Sequence, residues 1–142
     1  MQIEDLIREG SNWEVLPGEL SSLARAGYLE QYRQLMSSKE AREVKEVAYI
    51  FAVEKAIPRV LEHSNITYIG KTVQTFYRRY YDRAEEVCSE ELWKKLRTLA
   101  EKYGPCKLYY LRCRNPEEEE EKLLGRYFKE HCECPPENHK SR

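Results

Sequence analysis

The chain has 142 residues, of which 41% are apolar and 35% are charged, and its formal net charge is -1. This length fits one domain, no apolar run approaches the ~20 residues of a membrane-spanning helix, and Glu4, Asp5 and Glu14 argue against a signal peptide. We therefore expect a soluble, cytoplasmic protein whose five cysteines are reduced.

The first part of the chain, residues 1–45, is predicted to form an N-terminal helical extension. Its apolar residues recur at roughly helical spacing, namely Leu20, Leu23, Ala24, Tyr28, Tyr32, Leu35 and Met36. Pro17 and Gly18 mark the start of this helix, and Ser37-Ser38 mark its end. We expect the extension to pack on the domain that follows, which covers residues 46–142.

Two strands are predicted next. Residues 47–53 (VAYIFAV) are rich in β-branched and aromatic side chains, which is typical of a buried strand. Residues 66–69 (ITYI) form the second strand, which Gly70 ends. The stretch 54–65 between them contains Pro58 and several charges, so it predicts a loop or a short helix. Two neighbouring strands with a modest connection indicate a hairpin.

Two helices, a third strand and a last helix complete the predicted fold. Thr72 is expected to cap the first helix, and Gly104-Pro105 to end the second. Their apolar residues are Val73, Phe76, Tyr77 and Tyr80 in the first helix and Leu92, Trp93, Leu96 and Leu99 in the second. Residues 106–112 (CKLYYLR) predict the third strand. Asn115-Pro116 opens an acidic last helix, whose apolar residues are Leu123, Leu124, Tyr127 and Phe128.

This order of elements predicts an α+β fold, in which helices flank a small, three-stranded, mostly antiparallel sheet. The tail from Cys134 to Arg142 is polar and contains prolines, so we expect it to be irregular. Charge is distributed unevenly: residues 46–116 carry a net charge of +4, and Glu117 to Glu121 bring the total down. A basic surface with local acids permits nucleic-acid binding around a metal ion.

Five features occur in a recognisable order. They are a strand with Tyr49, the sequence YIGKT at residues 68–72, an arginine on the next helix, a glutamate on a late helix, and Asn138. This set resembles the GIY-YIG nuclease superfamily, although Val47-Ala48-Tyr49 stands where the family has Gly-Ile-Tyr. The resemblance covers about residues 46–138. It implies a GIY-YIG-like fold and a divalent-metal-dependent endonuclease that hydrolyses DNA phosphodiester bonds.

Helix geometry helps to choose the arginine. At about 100° per residue from Phe76, the apolar face centres at about 45°, Arg79 falls on its flank at about 300°, and Arg78 falls nearly opposite at about 200°. An arginine that reaches a site on the sheet should flank the packed face, which favours Arg79.

The same geometry helps to choose the glutamate. Counted from Leu123, the apolar face of the late helix centres at about 70°, and Glu120 falls at about 60°, whereas Glu121 falls at about 160°. A carboxylate within an apolar face is costly unless it is paired or binds a metal, which favours Glu120. An acidic first turn that only complements the helix dipole is the alternative.

The resemblance implies a role for each of these residues. Glu120 would hold Mg²⁺ or another divalent cation such as Mn²⁺, and Arg79 would brace the phosphate. Tyr49 or Tyr68 would be the general base, with Lys71 as a nearby cation. The remaining roles are a catalytic role for Asn138 in binding phosphate or fixing a tyrosine, and substrate binding at Gly70, Arg78 and Arg83, where Gly70 would let the backbone approach closely.

One other interpretation is excluded and three stay open. The excluded one is a P-loop, because Asn65 stands where that motif needs glycine. Zinc binding by His131, Cys132, Cys134 and His139 would use a Cys-x-Cys spacing tighter than the usual structural-zinc pair. A nucleic-acid-binding module that lost catalysis is favoured by the degenerate first motif and by Arg83, where the family often has histidine. The chain could also be a structural interaction protein, in which case the match of YIGKT to the family motif would be accidental.

The expected partner is DNA, with RNA as the open alternative, and no membrane partner is expected. A chain of this size has little room for a separate specificity domain. Residues 1–45 or the second subunit of a homodimer would therefore supply specificity.

Overall fold

The computed structural model describes residues 1–138, in which seven α-helices and four β-strands are present. The helices are α1 (Ile3–Arg8), α2 (Arg25–Met36), α3 (Lys39–Glu43), α4 (Phe76–Tyr80), α5 (Ala84–Val87), α6 (Glu90–Tyr103) and α7 (Pro116–His131), and a 3₁₀ turn at Tyr81–Arg83 joins α4 to α5. The strands are β1 (Glu14–Val15), β2 (Val47–Pro58), β3 (His63–Thr72) and β4 (Cys106–Arg112). The predicted α+β class is confirmed.

The strands form one antiparallel sheet with the order β1-β4-β2-β3. The prediction of three strands is wrong, because Glu14–Val15 pairs with Tyr109 and Tyr110 of β4. Both residues of β1 are exposed, so this strand lacks the apolar alternation by which a sequence reveals a strand. In the central strand β2, Tyr49 lies opposite Tyr110 on one side and opposite Gly70 on the other.

The hairpin of β2 and β3 is longer than predicted. The stretch 54–65, expected as a loop or short helix, continues as strand to Pro58 before a short turn, and β3 continues past Gly70. Irregular register within β2 leaves the charged Glu54 and Lys55 exposed. Pro58 is tolerated because β4 pairs with β2 only as far as Val53.

Side chains alternate across β2, and each face of the sheet carries its own core. On one face, Tyr49 and Leu108 pack with α2 and α4, and we call this the tyrosine face. On the other face, Ala48 and Ile50 pack with α1 and α7, and we call this the α7 face. Tyr49 and the helix that carries Glu120, α7, therefore lie on opposite faces of the sheet.

The N-terminal segment contributes to both cores. Met1, Ile3 and Leu6 are buried on the α7 face, whereas Leu16 and much of α2 are buried on the tyrosine face. Together with β1 in the sheet, this makes residues 1–45 part of the same layered structure. The domain boundary after residue 45 stays a prediction.

The helices near the N-terminus and after β3 begin later than predicted. The helix α2 starts at Arg25, because Leu20 forms an isolated bridge beside β4. The cap of α4 is Thr75, whose hydroxyl accepts a hydrogen bond from the Arg78 backbone, and not Thr72. Val73 therefore precedes the helix and is exposed instead of packed.

The later elements follow the sequence pattern closely. Gly104 ends α6, β4 covers residues 106–112, and the Asn115 side chain caps α7 as predicted. On α7, Leu123 and Tyr127 are buried, but Phe128 is exposed and its assignment to the packed face is wrong. None of the helices within residues 1–138 combines the length and the hydrophobicity needed to cross a lipid bilayer.

Candidate active site

The centre of the candidate site is Tyr49 on β2, whose side chain is almost completely buried. Its hydroxyl forms a hydrogen bond with the hydroxyl of Tyr80 on α4. Burial raises the pKa of Tyr49 well above its ordinary value, and the neighbouring phenols of Tyr80 and Tyr68 raise this pKa further. Tyr49 is therefore a neutral phenol around pH 7. This argues against Tyr49 as the general base and leaves Tyr68 for that role.

The absence of a side chain at Gly70 leaves room for the rings of Tyr68, on the same strand, and Tyr49, on the neighbouring strand. A Cβ atom added at Gly70 would lie 2.6 Å from Cε2 of Tyr68 and 2.7 Å from Cζ of Tyr49. The ring centroids of Tyr49 and Tyr68 are 5.9 Å apart. The glycine of YIGKT is thus required by close packing inside a strand, and not by a left-handed backbone, since its φ is not positive.

Arg79 is the cation that contacts this group. Its Nε donates a hydrogen bond to the Tyr80 hydroxyl at 3.1 Å, and its guanidinium carbon lies 5.4 Å from the centroid of the Tyr80 ring. Its charge also acts on Tyr49 and Tyr68. We call Tyr49, Tyr68, Arg79 and Tyr80 the tyrosine–arginine cluster. Helix geometry favoured Arg79 from the sequence alone. Arg78, Arg79 and Arg83 are all exposed, and of the three it is Arg79 that donates a hydrogen bond to the Tyr80 hydroxyl.

Tyr80 is the member of the cluster that the sequence did not assign to a site. The chain has 11 tyrosines, so residue type alone could not single it out. The available signal was spacing, because Tyr80 follows Phe76 by one helical turn. The ring of Phe76 packs against Tyr49 with centroids 5.3 Å apart, and this contact brings Tyr80 to the same residue.

Asn138 lies against the outer edge of β3, the last strand of the sheet. Its Oδ1 accepts a hydrogen bond from the Ile69 nitrogen and its Nδ2 donates one to the Ile69 oxygen, both at 2.9 Å. The backbone nitrogen of Glu137 donates to the Thr67 oxygen at 2.7 Å. The segment that follows α7 therefore covers an edge strand. Asn138 positions the strand that carries Tyr68, and its catalytic role stays a prediction.

Replacing Asn138 with alanine is expected to lower the free energy of unfolding by about 1–3 kcal/mol, because two hydrogen bonds to Ile69 are lost. Urea unfolding followed by far-UV circular dichroism would measure this loss at an unchanged m-value. A variant as stable as the native chain would contradict the positioning role.

Glu120 lies on the packed side of α7. Its side chain is 6% exposed, whereas Glu118 and Glu121 beside it are exposed. The prediction from helix geometry that Glu120 belongs to the packed side is therefore confirmed. Its helix packs on the α7 face of the sheet, however, which is the face opposite the tyrosine–arginine cluster.

Lys71 belongs to the α7 face as well, because it lies opposite Ala48 in the hairpin and side chains alternate along β3. Lys71, which was expected to be the cation beside the tyrosines, is therefore on the other face of the sheet, and the cation beside the tyrosines is Arg79. The strand β4 ends at Arg112, opposite Val47 at the start of β2, and the backbone nitrogen of Cys113 extends this pairing by donating to the Glu46 oxygen at 3.2 Å. Because α7 begins at Pro116, only a few residues later, its first turns follow the end of the sheet at which β2 starts.

Within residues 1–138, no group of three or more His, Cys, Asp or Glu side chains is arranged to hold a metal ion. For the zinc interpretation, His131 is a buried core residue: its Nδ1 donates to the Leu61 oxygen at 2.8 Å, and its Nε2 lies 2.9 Å from the α-amino group of Met1. Both ring nitrogens are thus engaged. Of the other proposed ligands, Cys132 is exposed, and His139 lies outside the described residues.

Two stacked tyrosines, Tyr77 on α4 and Tyr81 in the 3₁₀ turn that follows, form a basic aromatic surface together with Arg42 of α3. The guanidinium of Arg42 lies 4.0 Å from the centroid of the Tyr77 ring, and Tyr77 stacks on Tyr81 at 4.9 Å with 30° between the ring planes. Positive charge together with aromatic rings is the combination by which proteins contact single-stranded nucleic acid.

Comparison with known proteins adds no family assignment. No protein-family model, curated protein or solved structure matched the chain. The resemblance to GIY-YIG nucleases therefore rests on the ordered motifs, and the function drawn from it is a proposal.

Proposed function

We propose that the chain is a divalent-metal-dependent endonuclease that hydrolyses phosphodiester bonds in DNA. The observation that carries this proposal is the contact between Tyr49 and Tyr80, 31 residues apart, with Arg79 beside them. The resemblance points independently to the same strand tyrosine and to an arginine on this helix. Two lines of reasoning, from motif order and from packing, therefore support one site.

Each residue of the cluster has a distinct task in this reaction. Arg79 would bind the phosphate oxygens, because its planar guanidinium presents several donors in a fixed geometry. Tyr49, held neutral by burial, would donate a hydrogen bond to the same phosphate. Tyr68 is half-buried, and its phenolate would accept a proton from the attacking water and become a neutral phenol. The charge of Arg79 would stabilise that phenolate before the proton is transferred.

Glu120 is the residue that would hold the divalent cation implied by the resemblance, Mg²⁺ or Mn²⁺. The donor fits, since Mg²⁺ prefers oxygen ligands and is commonly bound through one or two carboxylates and substrate phosphates, with water completing its shell. When bound, the cation would neutralise charge that develops on the phosphate. Glu120 is in the first turns of α7, which follow the end of the sheet at which β2 starts. Such a cation site would therefore have to lie near the start of β2.

A second function is favoured by two observations. Tyr49 is too buried to ionise readily, and Glu120 belongs to a helix on the other face of the sheet from Arg79. Both suit a nucleic-acid-binding module that has the cluster and the basic aromatic surface but does not catalyse cleavage.

Incubation of the native chain with supercoiled plasmid DNA separates the two functions. The endonuclease is expected to nick the plasmid with Mg²⁺ or Mn²⁺ and to leave it intact with EDTA. Glu120→Gln is expected to lower the nicking rate at least about tenfold, the lower end of what the loss of a metal-site partner costs. Glu121→Gln, one position away and exposed, is the matched control and should nick normally.

Circular dichroism of both variants would establish that they fold alike. Salt-sensitive DNA binding without nicking at any divalent-metal concentration would refute the endonuclease and support the binding module. Neither nicking nor binding would refute both.

A further inference from the structure

A partly open cavity of about 290 Å³ lies on the tyrosine face, between the sheet and α6. Its wall includes Tyr49, Tyr68 and Tyr80, so it is continuous with the tyrosine–arginine cluster. Its volume is slightly below the range typical of pockets for drug-sized ligands, which starts at about 300 Å³. The cavity therefore suits a single ring system better than a whole nucleotide or a peptide.

The helix above the cavity is amphipathic, yet it contributes no fully buried residue to the core. Leu92, Leu96 and Leu99 of α6 face the cavity from one side, and Phe51 and Tyr68 face it from the sheet. An apolar helix side that borders an open space, where close packing would be usual, indicates room for an apolar ligand.

Polar groups are confined to a few positions in the cavity wall. Lys95 of α6 donates a hydrogen bond to the Pro136 oxygen and lies 3.7 Å from a carboxylate oxygen of Glu137. A donor and an acceptor side by side can meet the hydrogen-bonding edge of a heterocyclic base, while aromatic rings cover its face.

We propose that this cavity binds one unstacked nucleobase of the DNA strand, next to the phosphate held by Arg79. This rests on the proposed function, because Arg79 and the tyrosines are the phosphate site proposed there. The preferred substrate then carries an unpaired nucleotide, as in a single strand, a bulge or a branched structure. A perfectly paired duplex would first have to release a base from its stack.

Fluorescent oligonucleotides test this binding without cleavage, in buffer free of divalent metal. A short duplex with one unpaired 2-aminopurine is expected to bind about tenfold tighter than the same duplex with the 2-aminopurine paired, the factor that stacking of one base supplies. Because 2-aminopurine loses fluorescence when it stacks on an aromatic ring, its signal should fall on binding.

Variants that fill the cavity should remove this difference. Ala100→Trp places a ring in the cavity from α6, and Leu92→Trp does so from a position that is 42% exposed and tolerates bulk. Both are expected to bind the two duplexes equally. Thr98→Trp, on the exposed side of α6, is the matched control and should keep the tenfold preference.

Equal affinity of the native chain for both duplexes, or an unchanged preference in the folded cavity-filling variants, would overturn the base-binding proposal alone. Absence of binding to any DNA would overturn the proposed function with it.

Discussion

Replacing Arg79 with alanine is expected to lower the rate of DNA cleavage about 100- to 1000-fold, the usual cost of removing one fixed donor from a developing negative charge. Arg79 has this effect because its guanidinium is held beside Tyr80 and acts on Tyr49 and Tyr68, where the phosphate would lie. The side chain lies at the surface of α4, so its removal should cost little stability.

Arg78→Ala is the matched control, since it removes the same charge from the neighbouring position of the same helix. Arg78 is exposed, and it should affect mainly the salt dependence of DNA binding. Single-turnover cleavage at saturating DNA separates the two effects, because a loss of binding alone would not lower that rate. Similar rate losses in both variants would mean that charge on α4 matters and the geometry of Arg79 does not.

Arg79→Lys refines the interpretation. Lysine keeps the positive charge but cannot offer the planar pair of donors, so we expect a cleavage rate between those of the native chain and Arg79→Ala. A fully active Arg79→Lys would reduce the role of Arg79 to simple charge attraction.

The strongly patterned elements of the fold could be predicted from the sequence. The strand β4 and the helices α6 and α7 carry apolar residues at a clear period. In addition, α6 ends at Gly104 and α7 begins after Asn115, and both residues are local signals for a helix boundary. The burial of Glu120 followed from the same period. Local periodicity determines which side of a helix is buried.

Local periodicity does not determine against what that side is buried. The sequence grouped Glu120 with Tyr49 and Tyr68, but α7 packs on the opposite face of the sheet from Tyr49. That choice depends on the path of the chain after β4 and on the N-terminal residues that share the α7 face. Contacts between such distant segments leave no pattern in either segment alone.

The strand β1 and the cavity escaped prediction for a related reason. The strand β1 forms only because the edge of β4 is available to Glu14–Val15, and its own residues are exposed. The cavity lies between α6 and the sheet, although Leu96 and Leu99 carry the pattern of an ordinary core helix. Apolar periodicity is the same whether a helix side meets a packed core or a cavity.

Replacing Gly70 with alanine is expected to lower the free energy of unfolding by about 2–3 kcal/mol, toward the upper end of the cost of overpacking a core. The added methyl group would lie 2.6 Å from Cε2 of Tyr68, and 2.7 Å from Cζ and 2.8 Å from the hydroxyl oxygen of Tyr49. Tyr49 is held by Tyr80 and Phe76, so its ring cannot move aside without breaking other contacts. Cleavage should fall as well, because both tyrosines would be displaced.

The sign of this effect makes the test decisive. In a strand without close neighbours, glycine to alanine should stabilise the fold by about 0.5–1 kcal/mol, since alanine loses less backbone entropy on folding. Gly125→Ala provides that comparison within the same chain, because Gly125 lies inside α7 and an added Cβ meets no atom within 4 Å. Thermal or urea unfolding is expected to rank Gly125→Ala above the native chain and Gly70→Ala well below it. If both variants were stabilised, the rings of Tyr49 and Tyr68 would not enclose Gly70, and the phosphate site built on them would be lost.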